Sequence, residues 1–392
     1  MNFSALHEKL NQYINKGRLK SPWVVHYDCG SCNGCDIEVL ACLTPVFDVE
    51  RFGIVNIGDP KHADVLLVTG TVNQRNKDVL KNLYDQMPEP KAVIAIGACV
   101  ADTLVTVPHY PAEDTKLRAA GIKQAGGGPA ATGLVAAAKL GCDTAFAGVL
   151  ADDAAGAFLY EDFARYGVDT TLLRMLSGYR SFTSTVLLAA DTATRTCVFD
   201  KGTLPPFALT EAHAAAISDA ALLMVDGNEL PAAVAAAKIA RAHGVPVLYD
   251  CGGLYEGVAE LLALTDYMIP SREFALAHTG KATVPEAAKA LYHTYSPRLV
   301  VITEGKKGGT AYDGERVWEY PATPAVVVDS NGSGDVFHGA FAAGLTKGYI
   351  PEKCCLYASA VAALKCTGVG ARESIPDHGT TLRYLKENGY EF

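Results

Sequence analysis

A glycine-rich string near the C-terminal end, Asp329-Ser330-Asn331-Gly332-Ser333-Gly334-Asp335, constrains this chain more than any other segment. It follows an apolar run of β type, Ala325-Val326-Val327-Val328, and precedes a small-residue run of helical type over residues 336–345. The pattern predicts strand, turn and helix N-terminus in succession. That arrangement presents free backbone N–H groups and the positive end of a helix dipole to an anion. Glycines at 332 and 334 let the backbone approach the anion with no Cβ in the way. Asp335 falls at the start of the helix, where a carboxylate can take a proton from an alcohol attacking phosphorus. The string therefore reads as a phosphoryl-transfer site. No G-x-x-x-x-G-K-[ST] sequence occurs, which excludes a P-loop.

A second glycine cluster, Gly126-Gly127-Gly128, opens an Ala-rich run that stops at Gly141, a start-and-stop pattern for a helix. Further on, β-rich runs alternate with Ala-rich helical ones, as in 221–226, 231–243 and 245–250. Such alternation predicts a parallel sheet with helices on both faces. Residues 103–125 and 181–200 break the rhythm and read as extended segments.

The glycine string resembles the D-T-x-G-A-G-D signature of the ribokinase-like (PfkB) carbohydrate kinases. Gly126-Gly127-Gly128-Pro129-Ala130-Ala131-Thr132 resembles that family's G-G-x-x-x-N-x-A substrate segment, with Thr132 where Asn is usual. Gly148 to Gly156 resembles its G-x-x-G-x-D-x-x-G, and Thr303-Glu304-Gly305-Lys306-Lys307-Gly308 its T-x-G-x-x-G loop. The resemblance covers residues 91–392 and implies an α/β fold, a parallel-sheet α/β/α sandwich with a small β lid from 103–125 and 181–200. It implies ATP-dependent phosphorylation of a sugar-like alcohol with Mg2+. Asp335 would be the general base, and Gly332, Ser333 and Gly334 the anion hole. Asp102, at the end of the first strand, would hold the sugar with Gly127, Gly128, Thr132 and, from the lid, Arg195. Thr303, Gly305, Gly308 and Asn331 would hold the nucleotide. His338, three positions after the base, reads as a packing or capping residue. The segment from Asp102 to Arg118 is closest to the ketohexokinase and sulfofructose kinase branches, which suggests a ketose. Ser271 and Phe274 stand where the family carries the N-x-x-E of its magnesium site, with Glu273 one place off. A homodimer through the lid is also implied.

Residues 1–90 point to different chemistry. Cys29-Gly30-Ser31-Cys32-Asn33-Gly34-Cys35 packs three cysteines into a C-x-x-C-x-x-C spacing, which suits iron–sulfur or soft-metal ligation. This region resembles the 20 kDa iron–sulfur subunit of complex I and of energy-converting [NiFe] hydrogenases. The resemblance implies a flavodoxin-like α/β module, a [4Fe-4S] cluster and hydrogenase-type or complex I-type partner subunits. Cys32, Cys35 and Cys99 match three of the cluster ligands. The P-G-C-P-P segment with the fourth is absent, so the module is truncated, and Cys29 would substitute only if its loop folds back. A bound cluster and a cluster-free fragment both stay open. An electron-transfer subunit is the alternative to the kinase. The strings meet at Val93-Ile94-Ala95-Ile96-Gly97-Ala98-Cys99, which fits both modules. One strand cannot serve two sheets, and the kinase is the more complete, so the strand is expected there.

The chain of 392 residues is long enough for two domains. A net charge of −9 argues against nonspecific nucleic-acid binding. Apolar runs are too short or broken for a membrane span. Residues 1–10 read as an amphipathic helix without a signal-peptide core, and 11 cysteines then suggest a reducing cytoplasm. Cys142, Cys197, Cys251, Cys354, Cys355 and Cys366 read as buried small hydrophobes.

Overall fold

The computed structural model describes residues 23–29, 34–52, 54–56, 58, 65–70, 75–86, 92–192, 194–253 and 256–390. The helix expected over residues 1–10 lies outside them. The chain divides into two units, Met1–Pro90 and Lys91–Phe392.

In the first unit, β1 (Trp23–Asp28) pairs in parallel with β2 (Val55–Asn56) and β3 (Val65–Thr69), in the order β2-β1-β3. Helices α1 (Gly34–Cys42) and α2 (Lys77–Gln86) belong to the same unit. The order 2-1-3 is that of a flavodoxin-like sheet. Parallel strands are normally buried on both faces. Here Val65, Leu67 and Val68 of β3 and Ile37 and Leu40 of α1 are exposed.

The second unit is built on an eight-stranded sheet. Val93–Ile96 forms its strand β4. Before the neighbours of β4 in the sheet come two strands of a smaller sheet, β5 (Val100–Val107) and β6 (Gly121–Gly127), then α3 (Pro129–Lys139). The chain continues through β7 (Thr144–Phe146), β8 (Gly148–Ala151), α4 (Ala154–Arg165), β9 (Leu173–Leu176), β10 (Thr183–Ala189), β11 (Thr194–Asp200) and α5 (Glu211–Ser218). Then follow β12 (Leu222–Asp226), α6 (Leu230–Ala242), β13 (Val247–Cys251), α7 (Val258–Ala263), β14 (Tyr267–Pro270), α8 (Arg272–Thr279) and α9 (Val284–Tyr295). The last elements are β15 (Leu299–Thr303), β16 (Gly309–Tyr312), β17 (Val317–Tyr320), α10 (Ser333–Thr346), α11 (Pro351–Lys365) and α12 (His378–Glu387).

The large sheet runs β17-β16-β15-β14-β13-β12-β4-β7, parallel except for the β15-β16-β17 meander at one edge. β4 pairs Val93 with Thr144 on one side and Leu222 with Val93 on the other. Its alternate residues supply two cores, as a pleated strand buried on both faces must. Val93 and Ala95 join the layer with α3, α10 and α11, while Ile94 and Ile96 join the layer with α6, α8 and α9.

The lid is a four-stranded sheet, β11-β10-β5-β6. It begins at Val100, earlier than expected, because β4 ends at Ile96 and the chain bends through Gly97. Asp102 therefore lies on a lid strand and not at the end of the first core strand. Residues 325–328, expected as a strand, form no strand, and Val326, Val327 and Val328 are exposed. The apolar pattern is there, but the main-chain hydrogen bonds of this stretch go to a helix terminus: Val328 and Asp329 both donate to Cys366 O.

Helices α3 and α10 cross at two glycines. A Cβ on Gly339 would lie 1.9 Å from Gly133 O, so the main chains are in contact there. Gly339→Ala is expected to destabilise the second unit by at least about 1–3 kcal/mol, the usual cost of overpacking. Thermal unfolding of the full chain checks this, and an unchanged midpoint would mean the helices have room to part.

Candidate active site

Gly332 is the N-cap of α10 and turns the chain with φ of 74°, a left-handed conformation natural to glycine. The amides of Gly334 and Asp335 belong to the first helical turn and have no carbonyl within the helix to serve. The Ser333 amide differs from the expectation: it donates to Ser330 O at 3.2 Å, so it is occupied inside the turn. Asp335 follows in the same first turn. Burial pushes its carboxyl above the ordinary range, against the pull of His338, Arg195, Lys365 and Arg372.

One cavity is lined by Asp335, Gly332 and Asn331 together with Asp102, Gly127 and Gly128. Phe182, Ser184 and Phe199 line it as well. Ser184 on β10 donates to Asp102 Oδ1 at 2.5 Å, across the register that pairs the two residues. Gly127 sits so close to Asp102 that a Cβ there would meet its Oδ2 at 2.0 Å. Burial raises the Asp102 pKa, with the Ser184 hydrogen bond opposing it. Cys197, expected as a buried hydrophobe, is exposed on β11 and lines this cavity.

Thr132 does not face the cavity. It is fully buried, and its hydroxyl accepts from Arg372 Nε at 3.4 Å. The expected sugar contact is thus replaced by a structural one. Arg372 is 1% exposed and donates to Asp162 Oδ2 and to Gly127 O, both at 2.7 Å. It also lies over the Phe163 ring, 5.4 Å from the centroid. A guanidinium with this fan of acceptors anchors Gly127 to α4. Ala371, next to it, touches the site of Gly332. Asp226 does similar work at the sheet end, accepting from the amides of Ala98, Ala130 and Asn228 at 2.9, 3.0 and 2.8 Å.

Behind the helix start, His338 places Nδ1 2.6 Å from Gly334 O and Nε2 2.8 Å from Ile269 O. Both acceptors are carbonyls, so the ring fixes α10 onto β14. Asp250 Oδ2 lies 3.2 Å from His338 Nδ1. Burial pushes the Asp250 carboxyl up to about 7, with His338 pulling the other way.

On the nucleotide side, Thr303 ends β15, and Gly305 and Gly308 shape the tight turn before β16. These residues do not line the cavity that holds Asp335, whereas Asn331 does. Arg195 is exposed on β11 and reaches Ser330 O at 3.3 Å, so it meets the glycine-string loop. Ser271 caps α8 by accepting from the Phe274 amide, and Phe274 is buried against His278. Glu273 is exposed.

Of the cysteines expected to hold a cluster, Cys32 lies outside the described residues. Cys29 is buried and Cys35 is exposed on α1. The Cys29 amide donates to Thr69 O, and its carbonyl accepts from Asn76 at 2.5 Å. Cys99 departs from the expectation: it lies in the core of the second unit, and burial drives its thiol up to about 12. A cluster ligand must be a thiolate, which this position disfavours. Among the described residues, no three His, Cys, Asp or Glu side chains could together hold a metal ion.

Residues 90–378 match the pfkB family carbohydrate kinase profile, nearly three quarters of the chain. The chain belongs to the pfkB family of carbohydrate kinases. It is 27% identical to the ribokinase of Haemophilus influenzae over 304 residues, 76% of this chain and 99% of that one. The structure of Arabidopsis thaliana ribokinase complexed with ribose and ATP superposes with a TM-score of 0.68 at 26% identity, covering 76% of this chain and 99% of that one. Residues 32–132 match the NADH ubiquinone oxidoreductase 20 Kd subunit profile. Over 80 residues the chain is 59% identical to the probable membrane-bound hydrogenase subunit mbhJ of Pyrococcus furiosus, 20% of this chain. The chain spans 48% of that relative's length. Among the described residues no helix is long and apolar enough to cross a membrane.

In this pfkB kinase, Arg372, Lys365 and Asp250 escaped sequence reading. Only Lys365, a charge that ends the uncharged run over 354–364, left a trace. Arg372→Met is expected to cost about 3–5 kcal/mol, because Asp162 stays buried with only the exposed Arg165, 3.6 Å away, to balance it. Arg372→Met with Asp162→Leu should recover much of that stability. Equal unfolding midpoints for wild type and Arg372→Met would show the pair to be dispensable.

Proposed function

We propose that the second unit transfers the γ-phosphoryl group of ATP to a hydroxyl of a sugar-like alcohol, with Asp335 as general base. The single observation that carries this reading is the shared cavity. It brings Asp335 and the Gly332 turn together with Asp102, Gly127 and Gly128. Substrate hydroxyls would bond the Asp102 carboxylate and the glycine backbone. The attacking hydroxyl would give its proton to Asp335 as it meets phosphorus. The Gly332 and Gly334 amides would face the charge that spreads over the transferring group, the first presented by the left-handed turn and the second by the helix start. Losing one such donor costs about 2.7–4 kcal/mol of transition-state stabilisation in other enzymes. The four-stranded lid contributes Ser184 and Phe199 to the cavity lining.

Magnesium, which the family pattern implies, would travel with the nucleotide phosphates. The position expected to supply its organising carboxylate holds buried Phe274, which has no group to ligate a cation. The ketose branch is the first substrate class to try.

Asp335→Asn is expected to abolish sugar-dependent ATP consumption while leaving the unfolding midpoint intact, measured across ketoses, aldoses, sulfosugars and nucleosides. Near-normal turnover in the variant would remove the assigned role. The base works ionised, and burial raises its pKa. Wild-type kcat/KM should therefore rise with pH through an ionisation above the ordinary carboxylate range near 4. A profile flat from pH 5 upward would count against a raised Asp335.

Electron transfer by the first unit is the second reading, favoured by the 59% identity to a hydrogenase subunit. The described cysteines do not assemble a four-thiolate site, and Cys99 is committed to the kinase core. Full-length chain purified anaerobically should hold no stoichiometric iron and acid-labile sulfide. About four irons per chain, the content of one [4Fe–4S] cluster, would restore the electron-transfer reading.

A further inference from the structure

Lys365 is fully buried at the last position of α11. Its ammonium donates to Asp329 O at 2.8 Å and to Asn331 O in a shorter contact. These carbonyls flank the start of the glycine string. Between them, Ser330 O takes the Arg195 guanidinium at 3.3 Å. Three consecutive carbonyls are thus held by two cationic side chains.

A trans peptide is planar, and its C=O and N–H point in opposite directions. Fixing Asn331 O on an ammonium therefore turns the Gly332 N–H away from it. Fixing Asp329 O does the same for Ser330 N–H. The side chain of Asp329 completes the clamp, with Oδ1 accepting from the Asn331 amide at 2.7 Å and Oδ2 from the Gly370 amide at 2.9 Å. The loop has a carbonyl face on cations and an amide face elsewhere, and Asn331 and Gly332 line the cavity that contains Asp335.

The geometry points to Lys365 as a positioning residue, a built-in monovalent cation that sets the amide direction of the Asp329–Gly332 turn for phosphoryl transfer. The inference rests on the kinase reading above. The ammonium bonds backbone carbonyls and Lys365 does not line the cavity, so it acts through the peptide units and through its field rather than by touching the phosphoryl group. A buried ammonium has few partners to replace it, since water does not reach a fully covered side chain. Its removal leaves two carbonyls without donors and frees the peptides to rotate.

The experiment uses the full chain, ATP and the acceptor that the substrate panel identifies. Lys365→Met keeps the volume and removes the charge. Its kcat should fall about 10²–10³-fold, the loss seen when one anion-hole donor goes, with KM for the sugar little changed. Lys365→Ala opens space, and ammonium chloride should restore part of its kcat, relative to tetramethylammonium chloride at equal ionic strength. Wild type and Asp335→Asn should not respond to ammonium. If Lys365→Met fails to fold, Lys365→Gln, with a neutral N–H2 donor in similar volume, must show the same fall in kcat at a preserved unfolding midpoint. Wild-type kcat in a folded Met or Gln variant, or a loss confined to KM, overturns the role of Lys365 and leaves the kinase reading standing. Absence of turnover in wild type with every acceptor overturns both.

Discussion

The close crossing of α3 and α10 is the constraint on which the candidate site depends. Each helix begins at a glycine-bearing loop that lines the cavity, α3 after Gly127-Gly128 and α10 after Gly332. Backbone contact at Gly133 and Gly339 fixes their separation. Their N-termini then lie together at one end of the crossing, with both dipoles presenting positive ends. A protein interior is packed like a crystal and does not stretch to absorb an added methyl. The distance between the Gly127-Gly128 loop and Asp335 is therefore set by two residues that carry no functional group at all.

Buried charges finish what the helices begin. Asp226 gathers the bend after β4 and the start of α3. Arg372 joins Gly127 to α4 and brings Ala371 against the turn. Lys365 and Asp329 hold the loop before α10. Each connects segments far apart in sequence, and each is satisfied by several hydrogen bonds, the condition under which a buried charge is tolerated. The active-site loops are held from behind by ions and from the sides by packing.

The fold of the second unit was legible because its signals are local. Two-residue and 3.6-residue periodicities mark strands and helices, and the glycine string carries its own turn geometry. The division of labour inside the site was less legible. Thr132 and Asp102 stand in similar small-residue surroundings in the sequence, yet one faces Arg372 and the other the cavity. Which way each points depends on residues far along the chain. The same holds for residues 325–328, whose apolar run is that of a strand while the Val328 amide bonds the end of α11. Cys99 followed the fate of its strand: its spacing suited a cluster, and the sheet that claimed Val93–Ile96 placed its thiol among apolar side chains.

The position of β4 also governs the order in which the kinase unit can be completed. Val93–Ile96 leaves the ribosome before either of its neighbours, the short β7 and then Leu222–Asp226. Until β12 has been synthesised, one edge of an apolar, β-branched strand has no partner. Such an edge invites pairing with other chains.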